Sequence, residues 1–365
     1  MIKILYDHQI FALQQYGGIS RYICELAKHV TTDADFIANI VAPLSINNYL
    51  HEDSIVFNGF YIPYFRGIGR IIRPVNSVVA PFIVSSLKPD IVHETYYSVC
   101  TVAPKGCPIV LTAHDMIHEK YKQFFPPNDH TTEMKRIAFS RADRIICVSE
   151  NTRQDLIEIF GIAPEKTMVV YHGFSLNGVA KPVDFFNERP FLLYVGARSG
   201  YKNFDTLLAA YATSSKLKSE FDLIAFGCGQ FTPDENAMIR KLNIDVALVR
   251  QISGNDAILS SLYSKAAAFI YPSLYEGFGI PPLEAMSYNC PVVCSNVSSI
   301  PEVVGNAACF FNPTDLDSIR MAIEKVVEST ELRDNLIKHG RIRLKQFSWD
   351  KCASETMQVY KELSG

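Results

Sequence analysis

Two doubly wound α/β domains are the fold this sequence predicts, and three observations predict it. The chain has 365 residues, more than one hydrophobic core ordinarily serves. Short apolar runs alternate with helix-length amphipathic stretches from end to end, as parallel strands joined by crossover helices do. The alternation breaks at the polar NGVAKPVDFFNERP, residues 177–190, and then restarts. The expected boundaries are residues 1–178 and 179–345 for the domains and 346–365 for a terminal helix.

The elements follow in order. In the first half IKILYD, DIVHET, PIVLTAH and RIICVS each read as a buried strand of about five residues. Between them GGISRYICELAKHV and TTEMKRIAFSRA have helical patterning. After residue 180 the strands are FLLYVGA, DLIAFG, VALVRQI, AAFIYPS and PVVCSN. The last segment, FSWDKCASETMQVYKELSG, carries the single tryptophan, Trp349, followed by Cys352, Met357, Val359, Tyr360 and Leu363. It reads as a packed helix, and periodicity leaves open which domain it packs on. Two domains of this kind face each other across a cleft, and ligands bind at the carboxyl ends of their strands.

Composition narrows the function. A net charge of −3 and a pI near 6.3 give no basic field for nucleic acid. Nine cysteines lie scattered without a C-x-x-C pair, which suits a reducing cytosol and core packing. The start, MIKILYDHQIF, reads as a strand, not a signal peptide. No uninterrupted apolar run reaches membrane-spanning length, so the expected location is cytoplasmic, with peripheral contact on the inner face of a membrane left open.

Chemistry concentrates after two strands of the second half. In SLYEGFGIPPLEAMSYNCPVV, residues 273–293, Glu276 and Glu284 bracket a Gly277-Phe278-Gly279 turn and the Pro281-Pro282 pair. Proline suits the first helical positions, which puts Glu284 in the first turn at the positive end of the helix dipole. Glycine lets backbone approach a ligand closely. Together these describe an anion site with carboxylates for sugar hydroxyls. In FLLYVGARSGYKNF, Arg198 and Lys202 leave a strand four residues apart, a planar fork and a mobile point charge for a diphosphate. Each pair alone reads as solvated charge or a helix cap; the two together, at the ends of two strands of one domain, read as a functional site.

These motifs resemble the retaining nucleotide-sugar glycosyltransferases of family 4. The resemblance rests on GARSGYKNF and YPSLYEGFGIPPLEAMSYNCPVV, and extends to YGGISRY, TAHDMIH, ICVSENTR and FSWDKCASETMQVY. It implies the GT-B fold: two Rossmann-like doubly wound domains facing across a cleft, with the C-terminal helix crossing back to the first. It implies that Arg198 and Lys202 hold the donor diphosphate. Glu276, with Gly277, Phe278 and Gly279, then binds the transferred sugar, and Glu284 the nucleotide ribose. Asn289 stands where the family usually has glycine, and asparagine is the next-best residue for a left-handed helix end.

In the first half, Gly17 and Gly18 form either a tight turn or a backbone cradle for donor phosphate. By resemblance His114 lies near the reacting sugar, and Asp115 either orients it or caps the next segment. His118 departs from the family wording and takes no role. Ser149 reads equally as a helix cap or a cleft residue, beside Glu150 and Thr152. Residues 65–87, FRGIGRIIRPVNSVVAPFIVSSL, read as a loop and helix on the first sheet, or as a surface where Arg66, Arg70 and Arg73 meet a membrane or a lipid-diphosphate acceptor.

The resulting expectation is a retaining, metal-independent hexosyltransferase acting on a glycan or lipid-linked glycan in polysaccharide biosynthesis. Its donor is GDP- or UDP-linked, with GDP-mannose first because the motif wording resembles mannosyltransferases of bacterial surface-polysaccharide assembly. No cofactor is expected beyond that donor, and no metal. Two alternatives stand beside it: another GT-B enzyme, such as a sugar-nucleotide epimerase or phosphorylase, or a non-catalytic nucleotide-sugar-binding subunit.

Overall fold

The computed structural model describes residues 1–52, 57–174 and 189–364. The chain forms two compact units, Met1–Gly173 with Ser348–Gly365, and Phe174–Phe347. The expected boundary at 178/179 lies outside the described residues. The chain rejoins the first unit at Ser348, two residues later than 346, because Gln346 and Phe347 stay with the second unit. Their N–H groups donate to Arg343 O and Leu344 O, and the Phe347 ring packs edge-on against Phe278.

The first unit is built on seven parallel strands: β1 (Ile2–Tyr6), β2 (Phe36–Ser45), β3 (Phe57–Tyr61), β4 (Ile91–Glu94), β5 (Ile109–Ala113), β6 (Arg144–Cys147) and β7 (Thr167–Val169). Their order is β3-β2-β1-β4-β5-β6-β7. The second unit has six: β8 (Phe191–Val195), β9 (Asp222–Phe226), β10 (Val249–Ile252), β11 (Ala268–Tyr271), β12 (Val292–Ser295) and β13 (Ala308–Phe311). These run β10-β9-β8-β11-β12-β13. Helices cover both faces of such sheets, so central strands such as β5 and β12 are buried at every residue and read as continuous apolar runs.

Strand order reverses between β1 and β4 in one sheet and between β8 and β11 in the other. Loops leaving the carboxyl ends of such neighbours run to opposite faces and open a crevice. All nine expected strands are present. The expectation missed β2, β3, β7 and β13. β2 contains Pro43, and the β2–β3 register shifts between Val41 and Leu44. Gly59 sits at that irregularity, where a Cβ would come within 1.7 Å of Ala42 O.

The terminal helix Trp349–Ser364 packs on the first unit against the helix Gly18–Val30, β1 and β4. It buries Trp349, Cys352, Ala353, Thr356, Val359 and Tyr360. The Tyr360 hydroxyl lies 2.6 Å from His93 Nδ1 and 3.1 Å from Tyr6 Oη, so the helix supplies a polar pin to the core as well as apolar area. Trp349 lies so close to Gly173 that a Cβ there would meet its ring at 2.4 Å. Five of the nine cysteines are buried: Cys24, Cys147, Cys290, Cys294 and Cys352.

Candidate active site

The reversal between β8 and β11 brings together residues about seventy positions apart. The loop after β8 turns through Gly196 and Gly200, both at positive φ, and ends on Asn203 at φ 60. Asn203 is nine-tenths buried, and its amide donates to Pro272 O at 3.0 Å and Pro313 O at 2.8 Å. Leu274 N–H donates to Tyr201 O at 2.8 Å. These bonds fasten the β8 loop to the β11 loop. As a result Lys202 Nζ lies 2.7 Å from Glu276 Oε1. The Tyr271 hydroxyl also bonds Glu276, and burial, with that carboxylate next, raises its pKa well above the ordinary value.

The Glu276–Gly279 loop is held from below by two serines that sequence reasoning passed over. Glu276 N–H donates to Ser298 Oγ at 3.0 Å. Ser299 Oγ lies 2.8 Å from Glu276 O and 2.9 Å from Phe278 O, sharing one proton between two carbonyls. Ser298 adopts φ 53. Their only sequence signal is a Ser-Ser pair ahead of the helix Ile300–Val304. Phe278 is buried on Phe347 and contributes its backbone to the loop surface. Gly279 is the N-cap of the helix Ile280–Ser287 at φ 113, a conformation that disfavours any residue with a Cβ.

Two expectations change here. The helix starts at Ile280, so Pro281 and Pro282 take its second and third positions. Glu284 is then the fifth residue, one turn inside the helix, and its Oε2 accepts from the Tyr263 hydroxyl at 3.2 Å. Of the first four helical residues only Ile280 and Leu283 carry an N–H. The anion site therefore offers fewer donors than an ordinary helix start.

Arg198, at the end of the same strand, has partners of its own. It is buried, and its Nε lies 2.7 Å from Glu235 Oε1. Its Nη1 donates to Gly227 O, and its Nη2 to Gln230 O and Glu235 Oε2. The guanidinium also stacks over the Phe231 ring. Four of its five N–H groups thus have partners among the described residues. The cause is Glu235, fixed at the start of the helix Pro233–Lys241 by a capping box with Thr232. In this structure Arg198 organises the Gly227–Phe231 turn while Lys202 points to Glu276.

The expected helix end at Asn289 is present. Asn289 sits at φ 58, with its N–H to Met286 O and Cys290 N–H to Ala285 O, the paired bonds of a Schellman turn.

In the first unit, Gly17 caps the helix Gly18–Val30 in an extended conformation, φ 177. A Cβ there would meet Gln14 Oε1 at 2.1 Å, whereas Gly18 faces open space. The close approach at Gly17 thus accommodates the chain's own glutamine. His114 follows β5 and is buried. Its ring lies nearly parallel to His172, 6.0 Å away, and edge-on to Tyr22. Burial lowers its pKa to about 4, so the ring is neutral at physiological pH. Asp115 accepts from Ile117 N–H at 3.1 Å and pairs with the buried Lys135, which also meets Glu119. It caps the next segment and holds Lys135, not His114. Ser149 caps the helix Glu150–Phe160 by accepting from Thr152 N–H. His118 stacks on Phe125.

Sequence reasoning also missed the end of β1. Asp7 is fully buried and accepts from Thr95 Oγ1 at 2.6 Å, Thr95 N–H at 2.9 Å and Gln9 Nε2 at 2.6 Å. Five of the buried side-chain atoms without a partner among the described residues follow β1 and β5: His8 Nδ1, Gln9 Oε1, His114 Nε2, His118 Nδ1 and Glu119 Oε1. Such atoms are rare in cores. No three His, Cys, Asp or Glu side chains converge as a metal site among the described residues.

Comparison with known proteins gives the family and the fold. Residues 16–177 match the family profile described as Glycosyltransferase Family 4. Residues 180–343 match that described as Glycosyl transferases group 1. The chain is 30% identical over 268 residues to O-antigen chain mannosyltransferase B of Escherichia coli, covering 70% of each. It is 27% identical over 301 residues to O-antigen chain mannosyltransferase RfbU of Salmonella typhimurium, covering 75% of this chain and 81% of that one. The serotype-specific mannosyltransferase WbdA of Escherichia coli matches 86% of this chain at 27% identity, and the chain spans 42% of that longer protein. Among solved structures, sucrose-phosphate synthase from Thermosynechococcus elongatus superposes with a TM-score of 0.78 at 19% identity, over 100% of this chain and 99% of that one. HepE of Anabaena, in complex with UDP and glucose, gives 0.74 at 17%, over 99% and 100%.

Proposed function

The chain belongs to the family 4 and group 1 glycosyltransferases and has their GT-B fold, and from that premise we propose that it moves mannose from GDP-mannose to a glycan acceptor with retention of configuration. The Lys202–Glu276 ion pair at the switch point of the second sheet carries this reading. A cation, a carboxylate and a helix start meet there at the ends of two adjacent strands. A donor diphosphate would draw Lys202 away from Glu276 and onto phosphate oxygens, freeing the carboxylate for hydroxyls of the transferred sugar. Negative charge that develops on the departing diphosphate is then met by Lys202 and the start of the helix Ile280–Ser287. Stabilisation of this kind is ordinarily the largest catalytic term.

Arg198 is assigned the positioning of the Gly227–Phe231 turn beside the donor. Glu284 would take the ribose, and the Gln251–Gly254 segment borders the place for the base. Acceptor hydroxyls would meet His8 Nδ1, Gln9 Oε1 and His114 Nε2. Mannose is favoured because the relatives at 27–30% identity are named as O-antigen mannosyltransferases. A lipid-linked glycan is the acceptor class such a product implies, and peripheral membrane contact through Arg66, Arg70 and Arg73 belongs to the same reading. Lys202 and the helix start do the work of a metal in this scheme.

The test is product analysis with labelled GDP-mannose and an oligomannose acceptor, with and without EDTA. The reading predicts an α-linked product, formed only with acceptor present, at a rate EDTA leaves unchanged. Sugar-nucleotide isomerisation without acceptor would establish an epimerase instead. Tight diphosphate binding without turnover of any donor would establish a binding subunit, and activity lost to EDTA and restored by Mg²⁺ would overturn metal independence.

A further inference from the structure

The helix Gly69–Leu87 has two apolar stripes, and the first unit uses one of them. Ile72, Asn76, Ala80 and Val84 recur every four residues and are fully buried, with Ile68 just ahead of them. Ala80 and Val84 pack with Leu5, Val41 and Val92, and Ile68 and Ile72 with Ala12 and Ile46. Asn76 pins the helix to β2, accepting from Leu44 N–H at 2.8 Å and donating to Leu44 O at 2.9 Å. With that face so anchored, the helix runs on through Pro74 and Pro81.

The second stripe faces outward. Ile71, Val78 and Phe82 are 52%, 62% and 74% exposed, with half-buried Val75 between them. Their spacing of four, three and four places them along one side of a helix. Phe60, Tyr64 and Phe65, from the edge strand and the loop before the helix, are each more than half exposed. Polar residues ordinarily occupy the outer face of a surface helix, and a contiguous exposed apolar patch marks an interaction surface.

Charge identifies the occupant. No Asp or Glu occurs from residue 57 to residue 89, a stretch holding Arg66, Arg70, Arg73 and Lys88, in a chain whose net charge is −3. The three arginines are exposed, Arg70 and Arg73 in the first turns of the helix and Arg66 in the turn that leads into it. We propose that this face docks on an anionic lipid bilayer, with the helix lying in the interfacial plane. Ile71, Val78 and Phe82 enter the boundary between headgroups and acyl chains. Phe60, Tyr64 and Phe65 sit at headgroup depth, and the arginines reach lipid phosphates.

The proposal deepens the reading of a lipid-linked acceptor and rests on it only for the purpose of docking, since the docking itself needs no donor. The experiment is co-sedimentation of the full chain with vesicles of phosphatidylcholine alone and of phosphatidylcholine mixed with phosphatidylglycerol, at low and high salt. The chain is expected to sediment with the anionic vesicles and to be released by salt. An Arg66→Ala/Arg70→Ala/Arg73→Ala variant loses partitioning on the order of 100-fold, roughly fivefold per arginine. An Ile71→Ser/Val78→Ser/Phe82→Ser variant loses it as well, and the thermal melts of both stay near wild type. The proposal is overturned if wild type remains in the supernatant with anionic vesicles, binds both vesicle types equally, or binds no better than the arginine variant. Sedimentation equilibrium that shows a dimer abolished by the serine variant, with no vesicle binding, gives the face to a second copy. Sugar transfer without vesicle binding overturns the docking alone, and vesicle binding without transfer overturns the transferase reading alone.

Discussion

Acidification is the perturbation whose effect the first unit makes calculable. Burial holds His93 and His172 down to about 3 and His114 to about 4, against 6.5 for a free imidazole. Each must take up a proton when the unit unfolds below that value. Their contribution to stability is therefore complete above 6.5 and is lost as pH falls toward the folded values. Glu94 opposes them. Burial, eased by its pairing with Arg141, raises its carboxyl from 4.5 to about 7, so its contribution is complete below 4.5 and disappears as pH rises through 7. At about pH 5 the unfolded unit binds roughly three more protons through the histidines and about one fewer through Glu94. A net uptake of about two protons corresponds to about 3 kcal/mol per pH unit. Integrated from about pH 7 to about pH 5, the loss is about 3–4 kcal/mol.

Trp349 makes this measurable. It is the single tryptophan, 8% exposed, and lies in the unit that holds all four groups. Its fluorescence during urea unfolding should show the midpoint falling by about 1.5–2 M between those pH values, for a slope near 2 kcal/mol/M. A Glu94→Gln variant removes the opposing group, and its loss should be steeper. A midpoint that stays level or rises on acidification would refute the neutral burial of these histidines.

Other outcomes follow from the second unit. Lys202→Ala should lower kcat by about 100- to 1000-fold, as loss of a group that meets developing charge does, and steady-state kinetics with the identified donor would show it. Ser299→Ala leaves the Glu276 and Phe278 carbonyls without their shared donor. It should cost about 1–2 kcal/mol in thermal or urea melts and raise the donor KM by loosening the loop. Tyr360→Phe removes the hydroxyl that meets His93 Nδ1, and should lower first-unit stability by about 1–3 kcal/mol with little effect on donor KM.

What the sequence made legible follows from how local each signal is. Strands buried on both faces, such as β5, β11 and β12, announce themselves as short apolar runs. β3 reads FNGFY, with Asn58 and Gly59 inside it, and forms because β2 is there to pair with it. Lys202 and Glu276 each follow a strand that the sequence announces, but their meeting depends on β8 and β11 being neighbours, which only the sheet order shows. The partners of Arg198 were not legible, because Glu235 lies 37 positions away and its capping role shows only once the helix start is placed. The bonds of Asn203 and the serine support under Glu276 are likewise long-range backbone contacts, which leave no periodic trace. Glu284 was displaced by a smaller error. The helix begins one residue ahead of the proline pair, and that shift moves the carboxylate out of the first turn. At Asn289 the local chemistry of a left-handed helix end sufficed.

The most direct measurement is a crystal structure of the chain with a bound nucleoside diphosphate. The account predicts phosphate oxygens within hydrogen-bond distance of Lys202 Nζ at the carboxyl ends of β8 and β11, with the Lys202–Glu276 contact broken. A nucleotide bound at the ends of β1 and β4, or a Lys202 still paired with Glu276 while the diphosphate lies elsewhere, would contradict it.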